Sequence, residues 1–142
     1  MILAYRHTGV NVTDLARSVA FYESLGFVVV ERRHEEGAYI DALTGLSNVS
    51  LDWVKVEAPN GVLLELVRFR CPDRVRRFSS DYASIGCNHL CLQVDNVEAM
   101  HRELSAAGVR CHPVQTDPPG KVKNMACYDP DGTIIELVEV LK

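Results

Sequence analysis

From Leu3 to Val12 apolar and polar residues alternate, the period of a strand with one covered face. Leu15, Val19, Tyr22 and Leu25 then recur at helical spacing, with Asp14 in place to cap the helix and Gly26 to stop it. Phe27–Glu31, Leu51–Val56 and Val62–Phe69 are rich in β-branched and aromatic residues and predict three further strands. The same sequence of periods follows a second time. It gives a strand near Asn88–Val94, a helix over Val97–Ala107 ended by Gly108, a short strand Val109–Cys111, and strands Lys123–Tyr128 and Thr133–Val140. Between them YIDALTGL, Tyr39–Leu46, predicts a short helix with Gly37 and Gly45 as hinges, placed either over a cavity mouth or in the core.

The two passages are copies. His7-Thr-Gly-Val-Asn-Val aligns with His89-Leu-Cys-Leu-Gln-Val at an offset of 89 − 7 = 82, which also joins Val10 to Leu92, Leu15 to Val97 and Gly26 to Gly108. APNGVLLELV and DPDGTIIELV align at 136 − 65 = 71, joining Pro59 to Pro130, Gly61 to Gly132 and Glu65 to Glu136. The second copy is therefore shorter by 82 − 71 = 11 residues, lost between its helix and its last strands. Such a duplication predicts an α+β protein built from two β-α-β-β-β units. Residues 1–70 form the first, 71–84 a linker and 85–142 the second. One such unit leaves a sheet face uncovered, so two are expected to pack together or close around a shared cavity.

Composition narrows the partners. The 142 residues suit one domain or two half-domains sharing a core, and a net charge of −4 speaks against nucleic acid or an anionic membrane surface. No apolar run approaches the ~18 residues of a membrane span, and the start MILAYRHTGVNV lacks the basic segment of a signal peptide. Five cysteines, an odd number without C-x-x-C spacing, fit reduced thiols in the cytoplasm.

Chemistry enters with the charges inside apolar strands. Glu65 shares a strand face with Leu63 and Val67, and Glu136 with Ile134 and Val138. An ionised carboxylate there is costly unless paired or coordinated. His7 and His89 occupy equivalent points of the two first strands. If the units are related by a pseudo-twofold, two imidazoles and two carboxylates can converge as a divalent-metal set with open positions. Cys87 and Cys91 flank His89 on its face, but the first copy offers no matching thiol, and Gln93 lies just beyond. The run Arg68–Arg77 could hold a substrate carboxylate or a CoA phosphate, or be a solvated linker. His34, His101 and His112 are expected on the surface.

HTGVNVTDLARSVAFYESLGF, APNGVLLELV, NHLCLQVDNV and YDPDGTIIELVEV together resemble the vicinal oxygen chelate superfamily. That superfamily includes glyoxalase I, methylmalonyl-CoA epimerase, extradiol dioxygenases and the fosfomycin- and bleomycin-resistance proteins. The resemblance implies tandem βαβββ modules forming a half-open β-barrel around one divalent ion (Zn, Ni, Co, Mn or Fe) held by His7, Glu65, His89 and Glu136. This His/Glu/His/Glu set is similar to that of bacterial glyoxalase I. It implies a lyase or isomerase that takes a proton next to a chelated carbonyl of a small substrate, with Glu136 as base and Glu65 as its symmetry-related partner. A homodimer is implied as well. The alternatives are an acyl-CoA epimerase, whose family usually has Gln in place of Glu65, and a metal-free ligand-binding or resistance module. Glyoxalase I usually carries an Arg four residues after the first His and an Asn four after the first Glu, both contacting glutathione. Here these positions are Asn11 and Phe69, so a small carbonyl or acyl substrate is expected in place of a glutathione adduct.

Overall fold

The computed structural model describes residues 1–70, 81–83, 85–86 and 88–142. The chain divides into two compact units, Met1–Arg77 and Phe78–Lys142. In the first, β1 (Thr8–Asn11), α1 (Leu15–Ser24), β2 (Val28–Glu36), α2 (Ala38–Thr44), β3 (Ser50–Glu57) and β4 (Leu63–Phe69) build a four-stranded sheet of order β1-β4-β3-β2. In the second, β5 (His89–Gln93), α3 (Val97–Ala106), β6 (Gln115–Thr116), β7 (Val122–Tyr128) and β8 (Ile134–Val140) build a sheet of order β5-β8-β7-β6. In each sheet the first strand runs parallel to the last and the other pairs are antiparallel. The duplication reaches down to the register. Gly9 faces Glu65 and Cys91 faces Glu136, while Lys55 faces Glu65 and Ala126 faces Glu136, at the offsets 82 and 71 of the sequence.

The helices form where the caps dictate. Asp14 Oδ1 accepts from the Arg17 amide at 3.0 Å and Asn96 Oδ1 from the Ala99 amide at 2.8 Å, each satisfying an orphan donor of a first turn. Glu139 adds a second acceptor at the α3 N-terminus, taking the Val97 amide at 2.9 Å. Gly26 and Gly108, at φ 92° and 79°, end the helices in a conformation that would strain any side chain. α1 packs on β3 and β4, where Val54, Val56, Leu64 and Leu66 are buried with Val19, Phe21 and Tyr22. Full burial of each such side chain contributes about 1.5–3 kcal/mol. The second unit buries Val97 and Leu104 of α3 with Met125, Cys127, Ile135 and Leu137. Ile40 of α2 sits in a separate cluster with Val49, Leu51 and Trp53.

Three expectations change. The first strand begins at Thr8 and not Leu3, and Met1, Ile2, Leu3 and Tyr5 are exposed. β4 begins at Leu63 and first pairs with Thr8, so among the described residues the preceding segment has no ladder to join despite its alternation. β2 extends to Glu36 through the polar run Glu31-Arg-Arg-His-Glu-Glu. Backbone pairing with β3 and cross-strand charges, His34 with Asp52 and Glu31 with Lys55, hold it in place of an apolar face. The segment Val109–Cys111 shrinks to a single bridge, Cys111 to Cys127, and the two-residue β6 takes the edge. The 11 residues missing from the second unit fall between the counterparts of His34 and Asp52, the stretch that holds α2; β6 is the counterpart of Arg33–His34 in β2. Most of the expected linker, residues 71–80 and 84, lies outside the described residues.

The turn before each Glu strand is closed alike. Gly61 N donates to Ala58 O and Gly132 N to Asp129 O. In the second unit a buried carboxylate reinforces it, Asp129 Oδ1 accepting the amides of Asp131 (2.9 Å) and Thr133 (2.7 Å). Removing that acceptor strands two amides. Asp129→Ala should lower the unfolding free energy by roughly 1–3 kcal/mol, and Asp129→Asn by less, as read from urea denaturation.

At the far end of the first sheet Arg70 forks onto Asp52 (Nε 2.7 Å, Nη2 2.9 Å), and Asp52 accepts from His34 at 2.9 Å. The Arg70 fork, then the His34 bond, hold the Asp52 carboxyl below its ordinary 3.8. Asp52 first, then Glu36, raises His34 above its ordinary 6.5. His34 adds stability that is full below about pH 6.5 and lost as pH climbs through its raised folded value. Asp52 adds stability present above about pH 4 and lost as pH falls through its lowered one. The network therefore contributes most between those limits. NMR titration should find His34 protonated to higher pH than a free imidazole, and Asp52→Asn should bring it back.

Candidate metal centre

Parallel pairing places each histidine diagonal to its glutamate. In the β1–β4 register Thr8 faces Leu64, so His7 stands beside Leu63 and Glu65 lies two positions further along the same face. His7 Nε2 comes to 3.7 Å from Glu65 Oε1, with the side chains 36% and 18% exposed. The other oxygen, Oε2, is 3.3 Å from Lys55 Nζ, directly across on β3. That ammonium is 3.8 Å from Glu31 and 4.3 Å from the centre of the Trp53 ring.

The second unit repeats the pair with different neighbours. His89 Nε2 lies 3.6 Å from Glu136 Oε2. Glu136 Oε1 accepts from Asn124 Nδ2 at 3.2 Å, a neutral amide where the first unit has an ammonium. Asn88 fixes the imidazole. Its Nδ2 donates to the Tyr82 carbonyl at 2.9 Å, so its Oδ1 accepts a hydrogen bond from His89 Nδ1 at 2.7 Å. That leaves Nε2 as the nitrogen turned toward Glu136, the atom a metal would take with Nδ1 so held. Tyr82 packs at a tilt against His89, ring centres 5.4 Å apart, and its phenol is pushed above its ordinary range by burial and then by the charge of Glu136.

These donor sets suit a divalent ion. Two ligand atoms bound 2.0–2.2 Å from one ion stand roughly 3–3.5 Å apart, close to both His–Glu separations, and neither pair is a proper hydrogen bond. The structure brings together His7 with Glu65 and His89 with Glu136. Among the described residues, no three His, Cys, Asp or Glu side chains gather as a metal-holding group. Cys91 faces Glu136, and burial, then that carboxylate, push its thiol up. It is a neutral thiol near pH 7 and a poor ligand or nucleophile. Cys87 and the arginines 74, 76 and 77 lie outside the described residues; Arg70 is committed to Asp52. Phe69 packs against the Ile40–Trp53 cluster, and Asn11 is exposed on β1.

Several neighbours on these faces escaped the sequence reading. Lys55 and Asn124 become visible only once the antiparallel register is known. His112, expected as a plain surface residue, bonds Tyr128 Oη at 3.1 Å, and the Arg110 guanidinium lies 3.4 Å from the Tyr128 ring centre. Tyr128 faces Ile134, which also faces His89, so this trio flanks the second pair.

With tandem βαβββ units and a His–Glu pair in each, the protein falls in the class of duplicated α+β folds. The family model for the Glyoxalase/Bleomycin resistance protein/Dioxygenase superfamily matches residues 4–137, and the chain belongs to that superfamily. A lactoylglutathione lyase of Schizosaccharomyces pombe is 29% identical over 141 residues, covering 95% of this chain; the chain spans 44% of that protein's length. A glyoxalase family protein from Bacillus cereus superposes with a TM-score of 0.91 at 21% identity, covering 100% of this chain and 97% of the other. The trypanothione-dependent glyoxalase I of Leishmania major superposes at 0.64 with 26% identity, covering 96% and 87%. Among the described residues, no helix is long and apolar enough to cross a membrane.

Proposed function

We propose that the chain is a divalent-metal-dependent lyase or isomerase that moves a proton next to a carbonyl of a small substrate. The recurrence of one His–Glu pair, in one register, in both units carries this reading. His7, Glu65, His89 and Glu136 would together hold one ion, which when bound supplies positive charge to a developing oxyanion. The likeness to a lactoylglutathione lyase and to a glyoxalase I supports this reaction type.

The two carboxylates differ in how freely they can leave their neighbours. Turning Glu65 away breaks its contact with the Lys55 ammonium, whereas turning Glu136 away costs one hydrogen bond from the uncharged Asn124 amide. Glu136 is therefore the group that takes the substrate proton, and Glu65 stays put. The proton returns to the same carbon or to its neighbour, which sets isomerase against epimerase chemistry. Tyr82 and the Arg110–His112–Tyr128 trio bring phenols and a cation to the second pair's face, suited to a substrate with a polar or anionic end.

Elemental analysis of the purified protein should find one divalent ion per chain, with His7→Ala and Glu136→Ala losing it. Full occupancy in the variant lacking all four side chains would sink the assignment.

Phe69 donates nothing and Asn11 carries no charge, so neither offers a cation to a tripeptide carboxylate. Turnover of the glutathione–methylglyoxal adduct should be poor. A kcat/KM above roughly 10⁴ M⁻¹s⁻¹ for that adduct would restore a plain glyoxalase I.

A further inference from the structure

We propose that Cys111 and Cys127 form a cross-strand disulfide when the protein meets a hydroperoxide. The two residues face each other across an antiparallel bridge. The neighbouring bonds, His112 N to Ala126 O at 2.7 Å and Tyr128 N to Arg110 O at 3.2 Å, make this a non-hydrogen-bonded pair. In such pairs the Cα atoms are about 4.5 Å apart and the side chains closest, within the span a disulfide bridges. No strand has to move; rotation of the side chains brings the sulfurs together.

The duplication confirms the register independently. Subtracting the offsets gives 111 − 82 = 29 and 127 − 71 = 56, and Val29 does face Val56 in the first sheet. A pair of valines stands where the second unit has two thiols, so the position is a regular step of the fold that happens to be oxidisable. Cys127 shares its face with Ile135, opposite to that of Glu136, so a bridge here leaves the His89–Glu136 face free.

Both thiols are free, Cys127 fully buried and Cys111 partly exposed, so the oxidant meets Cys111 first. Its sulfur attacks one peroxide oxygen and the O–O bond breaks. The leaving oxygen departs as water or alcohol with the thiol proton, and Cys111 becomes a sulfenic acid. Cys127 sulfur then displaces that hydroxyl as water, taking up the Cys127 proton, and the S–S bond closes. Two thiols have lost two electrons to one peroxide. Burial raises both thiols, Cys127 to about 12, so the reaction is slow near neutrality and accelerates with pH.

The test treats the full chain with hydrogen peroxide and maps peptides without reduction. The expected result is one linked pair of peptides carrying Cys111 and Cys127, released by dithiothreitol, with the thermal midpoint raised by roughly 5 °C because the unfolded chain is now looped. Cys111→Ser and Cys127→Ala should each abolish the link and the shift, and Cys91→Ser should keep both; the partly exposed Cys111 site serves if the buried variant folds poorly. A link through another cysteine, a sulfinic acid at Cys111 beside a still alkylatable Cys127, or a lowered midpoint would overturn the proposal.

Discussion

Two strands running parallel must be joined by a crossover, and the crossover helix commits one face of the sheet to burial. In each unit the first and last strands are such a pair, with α1 or α3 packed on the sheet. The opposite face is then the place where charged side chains can stand without being sealed away from water. Register decides which residues those are. It puts a histidine and a glutamate on adjacent strands two steps apart, within 4 Å of each other, in both units. A shift of one residue in either pairing would turn the glutamate into the helix-covered core.

That constraint explains how much was legible beforehand. Helix ends could be read because Asp14, Gly26 and Gly108 act locally on backbone groups a few residues away. The correspondence between the two sheets could be read because the duplication supplies two offsets that relate their registers. The start of β1 could not, since alternation says nothing about where a partner strand begins. Nor could the extension of β2 through its charged run, which depends on Asp52 eighteen residues away. At the site, the His–Glu pairs follow from alternation and repetition. Lys55, Asn124, Asn88 and the Arg110–His112–Tyr128 trio do not, because their roles come from cross-strand and loop geometry that no period encodes.

Duplication also shows where the two units have been free to diverge. The backbone steps are the same, yet Glu65 meets an ammonium and Glu136 an amide, Gly9 is answered by Cys91, and a valine pair by two cysteines. The polypeptide geometry tolerates each exchange because it alters a side chain on a fixed ladder. The repeated scaffold thereby acquires unequal carboxylates, one beside an ammonium and the other beside a neutral amide.

The partners of these carboxylates bear on how stability and metal affinity relate. In small zinc domains the ion is the core, and without it the chain unfolds. Here each unit buries its own apolar residues under its own helix, and each glutamate already has a protein partner for the oxygen that does not face histidine. Neither carboxylate is left bare: Glu65 has an ammonium and Glu136 an amide donor. The consequence runs the other way for binding. An ion bound as proposed would meet histidine-facing oxygens that are already oriented, and at Glu65 it would compete for a carboxylate whose other oxygen is engaged by a lysine held in place by Glu31 and Trp53. Affinity in such a site is set by that competition as much as by the ligands themselves.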